Sequence, residues 1–368
     1  MRHVFKTNDI MTKLGLSYLF VVFAVGMMFS CSFSDKKGGM MSLDGLPVHV
    51  IHAEQYNKQE LITGTPWEFH RIKDKFFVFN GQSTCASLVF RLSDCFPLGE
   101  FMPKGMGPGE CLTLRYAGCS PDEDTVYIYD SSKSKMVKFY FPENHTDRLS
   151  YSLVEETMSS SDRYHMATCR LANGLTVAFN GSGTRHLFTL YNENQDSIGS
   201  FGSLPLPVED DQLKSFLPFQ GIMVTEGNTV YFGCKMLPYL CAYNVESHDK
   251  IELIFSHNYL STPYEYSNRI SIDRERNVES FRDIKVNGDY IWTTFMGCSG
   301  KSIDANPYDG FARTLLVFNK KGEPLAKWEF PNKGSHICFS EDGKILYHFT
   351  TDTNIGMVRV EDLWGDIR

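Results

Sequence analysis

Gly288-Asp289-Tyr290-Ile291-Trp292-Thr293-Thr294-Phe295 couples a two-residue turn to a run of aromatic and β-branched side chains. Glycine and aspartate tolerate the backbone of a tight turn, and the run behind them has strand composition, so the stretch reads as half of a β-hairpin. Five other stretches share this layout: Phe76 to Asn80 after Lys73-Asp74, Val126 to Asp130 after Pro121-Asp122-Glu123-Asp124, Leu175 to Asn180 after Asn173-Gly174, Val230 to Cys234 after Gly227-Asn228, and Ile345 to Phe349 after Asp342-Gly343. The six runs start at 76, 126, 175, 230, 290 and 345, so the pattern returns every 49 to 60 residues.

A second apolar stretch follows each run after a gap, at Ser87 to Phe90, Met136 to Tyr140, His186 to Tyr191, Tyr239 to Asn244, Thr314 to Asn319 and Met357 to Val360. Three of these lead into a further turn and strand, most plainly Asn319-Lys320-Lys321-Gly322-Glu323 before Leu325 to Phe330. Each unit is therefore an antiparallel meander. Four strands in about 50 residues is the period of a propeller blade, whereas a β-sandwich has no such regular period. The expected fold is all-β: a six-bladed β-propeller of four-stranded antiparallel blades over residues 47–368. The last unit is one strand short. Pro47 to Ala53, with Val48 and Val50 alternating with His49 and His52, is expected to supply its outer strand and close the ring.

Composition agrees with a large core. The 368 residues are 42% hydrophobic and 14% aromatic, which excludes a disordered chain, and Lys+Arg 36 against Asp+Glu 44 leaves a net charge of −8. That balance provides no cationic field for phosphate backbones, so nucleic acid is excluded as a general partner.

Arg2, Lys6 and Lys13 precede an uncharged run from Leu14 to Ser30, the layout of a secretory signal over residues 1–30. A spanning helix is the alternative for a run of this length. Met11 would serve equally as the start. Met28-Phe29-Ser30-Cys31 resembles a bacterial lipobox through its Ser30-Cys31 pair, although Met28 and Phe29 depart from the usual aliphatic and small residues. The resemblance implies lipidation of Cys31 and attachment to a membrane. Residues 31–46, small and polar, then form a flexible tether. The nine other cysteines contain no C-x-x-C pair, and several sit in apolar runs, so they are expected as core thiols.

Gly105-Met106-Gly107-Pro108-Gly109-Glu110 lies between the first two units. With the lipobox-like start and six repeats, it resembles the TolB-like six-bladed propeller lipoproteins common in Bacteroidetes. The resemblance implies an envelope lipoprotein, anchored in the outer membrane, with no established catalytic residues to carry over. Read physically, three glycines and a proline make a tight backbone excursion in which Glu110 accepts backbone N–H groups; an anion cradle is the alternative.

In a propeller the innermost strands converge on an axial funnel. Aligning the units by their hairpins puts His70, Arg115, His165, Gln220, Arg282 and His336 at the starts of those strands, with Glu68 as an alternative to His70. Two arginines and three histidines in a funnel favour an anionic or polyhydroxylated ligand, and a polar water channel is the plain alternative. Two long insertions, Ser256 to Ser280 and Gly297 to Arg313, are candidate roofs, with Tyr259, Tyr264 and Tyr266 available for stacking. The charge run Asp273-Arg274-Glu275-Arg276 reads instead as a solvated face.

No hydrolase, kinase or dinucleotide motif occurs, and no cofactor is expected. Among the aligned positions only Asp283 is a carboxylate suited to a metal, which needs several oxygen ligands. The expectation is a non-catalytic binding or scaffolding module of the cell envelope for a protein, peptide or glycan. A metal-assisted hydrolase or lactonase is the runner-up, which a meeting of Glu68, Asp283 and Glu110 would favour; an inert structural component is the third reading.

Overall fold

A computed structural model describes residues 40–365 except 59–60, 62, 64–65, 81–84, 144–146, 161–164, 182, 207–218, 260–263, 267–269, 274, 276–277 and 307–309. The signal segment, Cys31 and the tether up to residue 39 lie outside these residues. Every hairpin run read from the sequence is a strand, and the runs starting at 76, 126, 175 and 230 are each the second strand of a four-stranded sheet.

Two short strands, β1 (Val48–Val50) and β2 (Glu54–Gln55), come first. The first sheet is β3 (Pro66–Ile72), β4 (Lys75–Asn80), β5 (Cys85–Arg91) and β6 (Pro97–Pro103). The second is β7 (Leu114–Cys119), β8 (Thr125–Asp130), β9 (Lys135–Tyr140) and β10 (Ser152–Met158). The third is β11 (His165–Arg170), β12 (Thr176–Asn180), β13 (His186–Tyr191) and β14 (Ser197–Ser203). The fourth is β15 (Gly221–Glu226), β16 (Thr229–Cys234), β17 (Tyr239–Ser247) and β18 (Lys250–Asn258). All four are antiparallel meanders in sequence order. A small pair, β19 (Tyr264–Tyr266) and β20 (Ile270–Ile272), lies in the first long insertion.

The remaining strands depart from the expected six separate sheets. β21 (Val278–Asn287), β22 (Tyr290–Ser299), β23 (Ala312–Asn319), β24 (Pro324–Phe339), β25 (Ile345–Thr350) and β26 (Ile355–Arg359) form one eight-stranded sheet with β1 and β2. The cause is β24, which runs 16 residues without a break. It pairs with β23 over Pro324 to Glu329 and again at Gly334, and with β25 from Gly334 to Phe339. The described architecture is therefore four four-stranded sheets and one of eight, in a propeller arrangement.

The closing strand also differs from expectation. β1, inside Pro47 to Ala53, pairs in parallel with Lys327 to Glu329 of β24 and not with the last strand. It is Glu54 and Gln55 of β2 that pair antiparallel with Met357 and Gly356 of β26. Val48 and Val50 point outward, while His49 lies against Trp328 and Ile51 is buried, so the valine alternation did not mark the face that packs. The end of the expected tether is docked as well: Met41 N–H donates to Asn258 O at 2.8 Å, and Met41 and Leu43 pack on the core.

The core lies between consecutive sheets. Phe77, Phe101, Phe139 and Phe141 fill the space between the first and second, and Phe179, Phe188, Phe232 and Tyr243 that between the third and fourth. Tyr231, Leu240, Phe281 and Phe318 join the fourth to the eight-stranded sheet, which meets the first through Phe69, Phe76, Tyr347 and Phe349. Each fully buried ring contributes roughly 2–3 kcal/mol by removing apolar surface from water. Within the eight-stranded sheet, Trp292 stacks on Trp328 at 6.2 Å and both share a core with Ile337 and Leu346 of the other half.

A short helix, α1 (Gly300–Ala305), sits in the second insertion with Ser299 as its cap, and α2 (Val360–Gly365) ends the described chain. No described helix is long and apolar enough to cross a membrane. No disulfide joins cysteines 85, 95, 111, 119, 169, 234, 241, 298 and 338, and all but Cys119 and Cys298 are buried.

Candidate functional site

Residues of β3, β7, β11, β15, β21 and β24 line a cavity of about 850 Å³. Their side chains reach it because of how the strands are irregular. β3, β7, β11, β21 and β24 each shift register against their partner, β21 twice, while β15 pairs without a break. A bulge adds a residue and re-aims its side chain. On β21 the shifts fall on either side of Phe281, so the consecutive residues Arg282 and Asp283 both line the cavity.

His70, Arg115, Gln220, Arg282 and His336 line this cavity as the alignment anticipated. His165 does not. It is buried in β11, its Nε2 shares a hydrogen bond with the Tyr191 hydroxyl, and the register shift after it gives the wall to Met166 and Ala167. Glu68 is present together with His70 rather than in its place.

Sequence alignment missed three cations, Arg170, Lys235 and Lys285. Lys235 follows β16, and the main chain holds it: its N–H donates to Gln220 O at 2.7 Å, and its carbonyl accepts from Ser280 N–H at 2.6 Å. A lysine ending the apolar run Val230 to Cys234 is the only signal that marks it in the sequence.

Five cations, Arg115, Arg170, Lys235, Arg282 and Lys285, line the cavity with four carboxylates, Glu68, Glu123, Glu193 and Asp283; of these, Glu193 lies 3.8 Å from Arg170 and Glu123 pairs with Arg71 at 2.7 Å. Asp283 is firmly held. Its Oδ1 accepts from Lys285 Nζ and Ile284 N–H, both at 2.8 Å, its Oδ2 from Ile337 N–H at 2.9 Å, and His336 Nδ1 is 3.6 Å away. Burial disfavours its charge, but Lys285 and His336 outweigh this and hold the carboxyl well below the usual range. His336 is neutral: burial drops it to about 4 despite Asp283.

Glu68 Oε2 accepts from Tyr116 N–H at 3.0 Å and lies 3.4 Å from His70 Nε2, while Arg115 stands 3.9 Å from Oε1. Burial opposes its ionisation, and His70, Arg115 and the Tyr116 N–H together outweigh burial, so Glu68 titrates below its ordinary range. Burial and then Lys285 lower His70 against the pull of Glu68. Arg115 also donates to Met166 O at 3.3 Å and lies 5.2 Å above the Trp67 ring.

The other cations are less occupied. Among the described residues Arg282 Nε and His336 Nε2 are buried with no hydrogen-bond partner, and neither Arg282 nor Lys235 has a carboxylate within 4.0 Å. Burial lowers Arg282 against the pull of Asp283 and Glu279. Lys235 falls to about 8 through burial, with Arg282 and Arg115 adding to the shift. Its side chain stays partly accessible because the space it faces is the cavity itself.

The remaining expectations fall elsewhere. Gly105, Gly107, Pro108, Gly109 and Glu110 form a turn away from the cavity, in which Gly107 N–H donates to Glu110 Oε2 at 2.7 Å. Glu110 therefore does not join Glu68 and Asp283, and no cluster of three His, Cys, Asp or Glu side chains among the described residues is placed to hold a metal. No described residue of either long insertion lines the cavity. Tyr259 is core: its hydroxyl donates to Gly322 O at 2.7 Å. Glu275 of the charge run is exposed and pairs with Lys301 at 2.7 Å.

No protein-family profile matches the chain, and no curated protein sequence matches it. Among solved structures, a Bacteroides fragilis protein described only as exported superposes with a TM-score of 0.55 at 11% identity, over 84% of this chain and 86% of that one. The computationally designed Ika8 protein aligns over 83% of this chain and 100% of its own, at 8% identity and a TM-score of 0.42. The likeness to the Bacteroides structure is one of fold.

Proposed function

We propose that this chain is an exported, lipid-anchored β-propeller whose axial cavity binds an anionic group of an envelope protein, peptide or glycan without transforming it. The observation that carries this is that Arg282 and Lys235 line the cavity with no carboxylate within 4.0 Å among the described residues, and Arg282 Nε is a buried donor with no described partner. Buried polar groups normally find partners, so donors left over at a cavity wall suit an acceptor brought by a ligand. In this reading the eight-stranded sheet works as two blades sharing β24, giving six in all, and β2 completes the last one. The packing of Trp292 and Trp328 against Ile337 and Leu346 supports that division. Residues 1–30 are removed and Cys31 carries the lipid; mass spectrometry of the mature N-terminus tests this, and an unmodified Cys31 refutes it.

The binding test is calorimetric titration with acetate, inorganic phosphate and glucuronate, with glucose as the neutral control. Binding is expected for the anions and should weaken with salt. Arg115→Ala and Arg282→Ala should each weaken it about tenfold, roughly 1.4 kcal/mol. Equal binding of glucose, or unchanged affinity in both variants, overturns the reading.

One observation favours the metal-assisted hydrolase, namely that Glu68 and Asp283 share the cavity. A Ca²⁺-dependent rise in melting temperature would support it; no shift would remove it.

A further inference from the structure

Lys235 is placed unlike the other lysines described. Main-chain hydrogen bonds to Gln220 and Ser280 fix its position, its amine faces the axial cavity, and no carboxylate among the described residues lies within ion-pairing distance. Arg115 and Arg282 line the same cavity. An amine next to two guanidinium groups suits a ligand with a carboxylate for the guanidinium and a carbonyl for the amine.

We infer that the axial cavity is a carbonyl-capturing site in which the Lys235 amine forms a reversible Schiff base with a 2-oxo acid whose carboxylate rests on Arg282. The inference rests on the anion-binding reading and adds a covalent step to it. The nitrogen lone pair attacks the 2-oxo carbon and the carbonyl π pair moves to oxygen. That oxygen then leaves as water with the two amine hydrogens, and a C=N bond remains. No oxidant or reductant takes part, and hydrolysis returns both partners.

The amine is able to act because its proton is weakly held. Burial lowers Lys235 from 10.5 to about 8, Arg282 and Arg115 add to this, and Glu68 and Asp283 oppose it. At pH 7.5 about a quarter of such an amine is neutral, against about one part in a thousand of an ordinary lysine. The carboxylate of the ligand also supplies the acceptor that Arg282 Nε lacks.

The test uses the whole protein with pyruvate and cyanoborohydride, which reduces an imine to a stable N-(1-carboxyethyl) adduct, located by peptide mass spectrometry. Calorimetry with lactate, which has the carboxylate but no carbonyl, runs in parallel on the same native protein. The expected result is lactate binding and one dominant adduct at Lys235, formed about tenfold faster than at any other lysine, with half-maximal rate near pH 8. Lys235→Arg should abolish it, and Arg282→Ala should slow it about tenfold. Lactate binding with Lys235 unmodified, or with adducts spread evenly over many lysines, overturns the Schiff base and leaves the anion site standing. Neither binding nor adduct overturns both.

Discussion

At the turn from Gly105 to Glu110 the polar groups answer one another, while along the cavity wall several do not. Glu110 accepts from Gly107 N–H, Lys133 donates to Gly105 O at 2.9 Å and to Glu110 O at 3.2 Å, and the buried Asp130 accepts from the main-chain N–H groups of Leu112, Thr113 and Ser132. On the wall Asp283 has this kind of support, but Arg282, Lys235 and His336 Nε2 stand with fewer partners. A satisfied polar group contributes to folding, and an unsatisfied buried one costs stability until something binds it. The turn is thus built for the fold, and the wall holds groups that the fold alone does not need.

The largest effect that sharpens this contrast is at Asp283, the one wall residue wired like the turn. Asp283→Ala strands Lys285 and His336 and should cost about 4 kcal/mol, read as a lowered denaturation midpoint. A loss below about 1 kcal/mol would remove Asp283 from the structural side.

Acid comes next. His336 and His348, both buried, titrate near 4 and 3 because burial disfavours their charged forms, against 6.5 when unfolded. The unfolded chain therefore binds more protons below 6.5, and stability must fall as pH drops. From pH 7 to 5 each histidine should remove about 2 kcal/mol. The lowered Asp283 and Glu68 carboxyls add their losses only below about 4. His348→Phe, keeping a ring on Phe330, should halve the drop; an unchanged pH profile would show that His348 is not the cause.

Glu110→Ala should cost about 2 kcal/mol. A Cβ at Gly105 would run into the Glu110 carboxylate, so Gly105→Ala should act by displacing the same group, and the double variant should lose little beyond either single one. Additive losses would separate the two. The smallest change in stability is expected from Arg282→Met, within about 1 kcal/mol, since no described ion pair is broken. A large loss there would erase the difference between wall and turn.

The hairpins were legible because a turn and a β-branched or aromatic run are local signals: Gly288, at φ 60, is one such turn residue and Trp292 one such core residue. The wall was legible where the strand register is regular up to the site, as at Gln220, or where a bulge left the aligned residue facing inward, as at His336. It failed at His165, where the register shift turned the next residues to the cavity instead. Lys235 escaped because it comes from the end of a second strand, not the start of a first. The eight-stranded sheet could not be read because nothing between Phe330 and Gly334 announces that β24 continues, and the outward-facing Val48 and Val50 misdirected the pairing of β1.

Both ends of the chain meet on that sheet: β1 lies along one half and β2 along the other, beside the last strand β26. Its final edge can be made only when residues from the start and the end of the polypeptide are present together. A ribosome still holding the C-terminal residues leaves the assembly unlatched, and long-range pairing of this kind is slow once it begins.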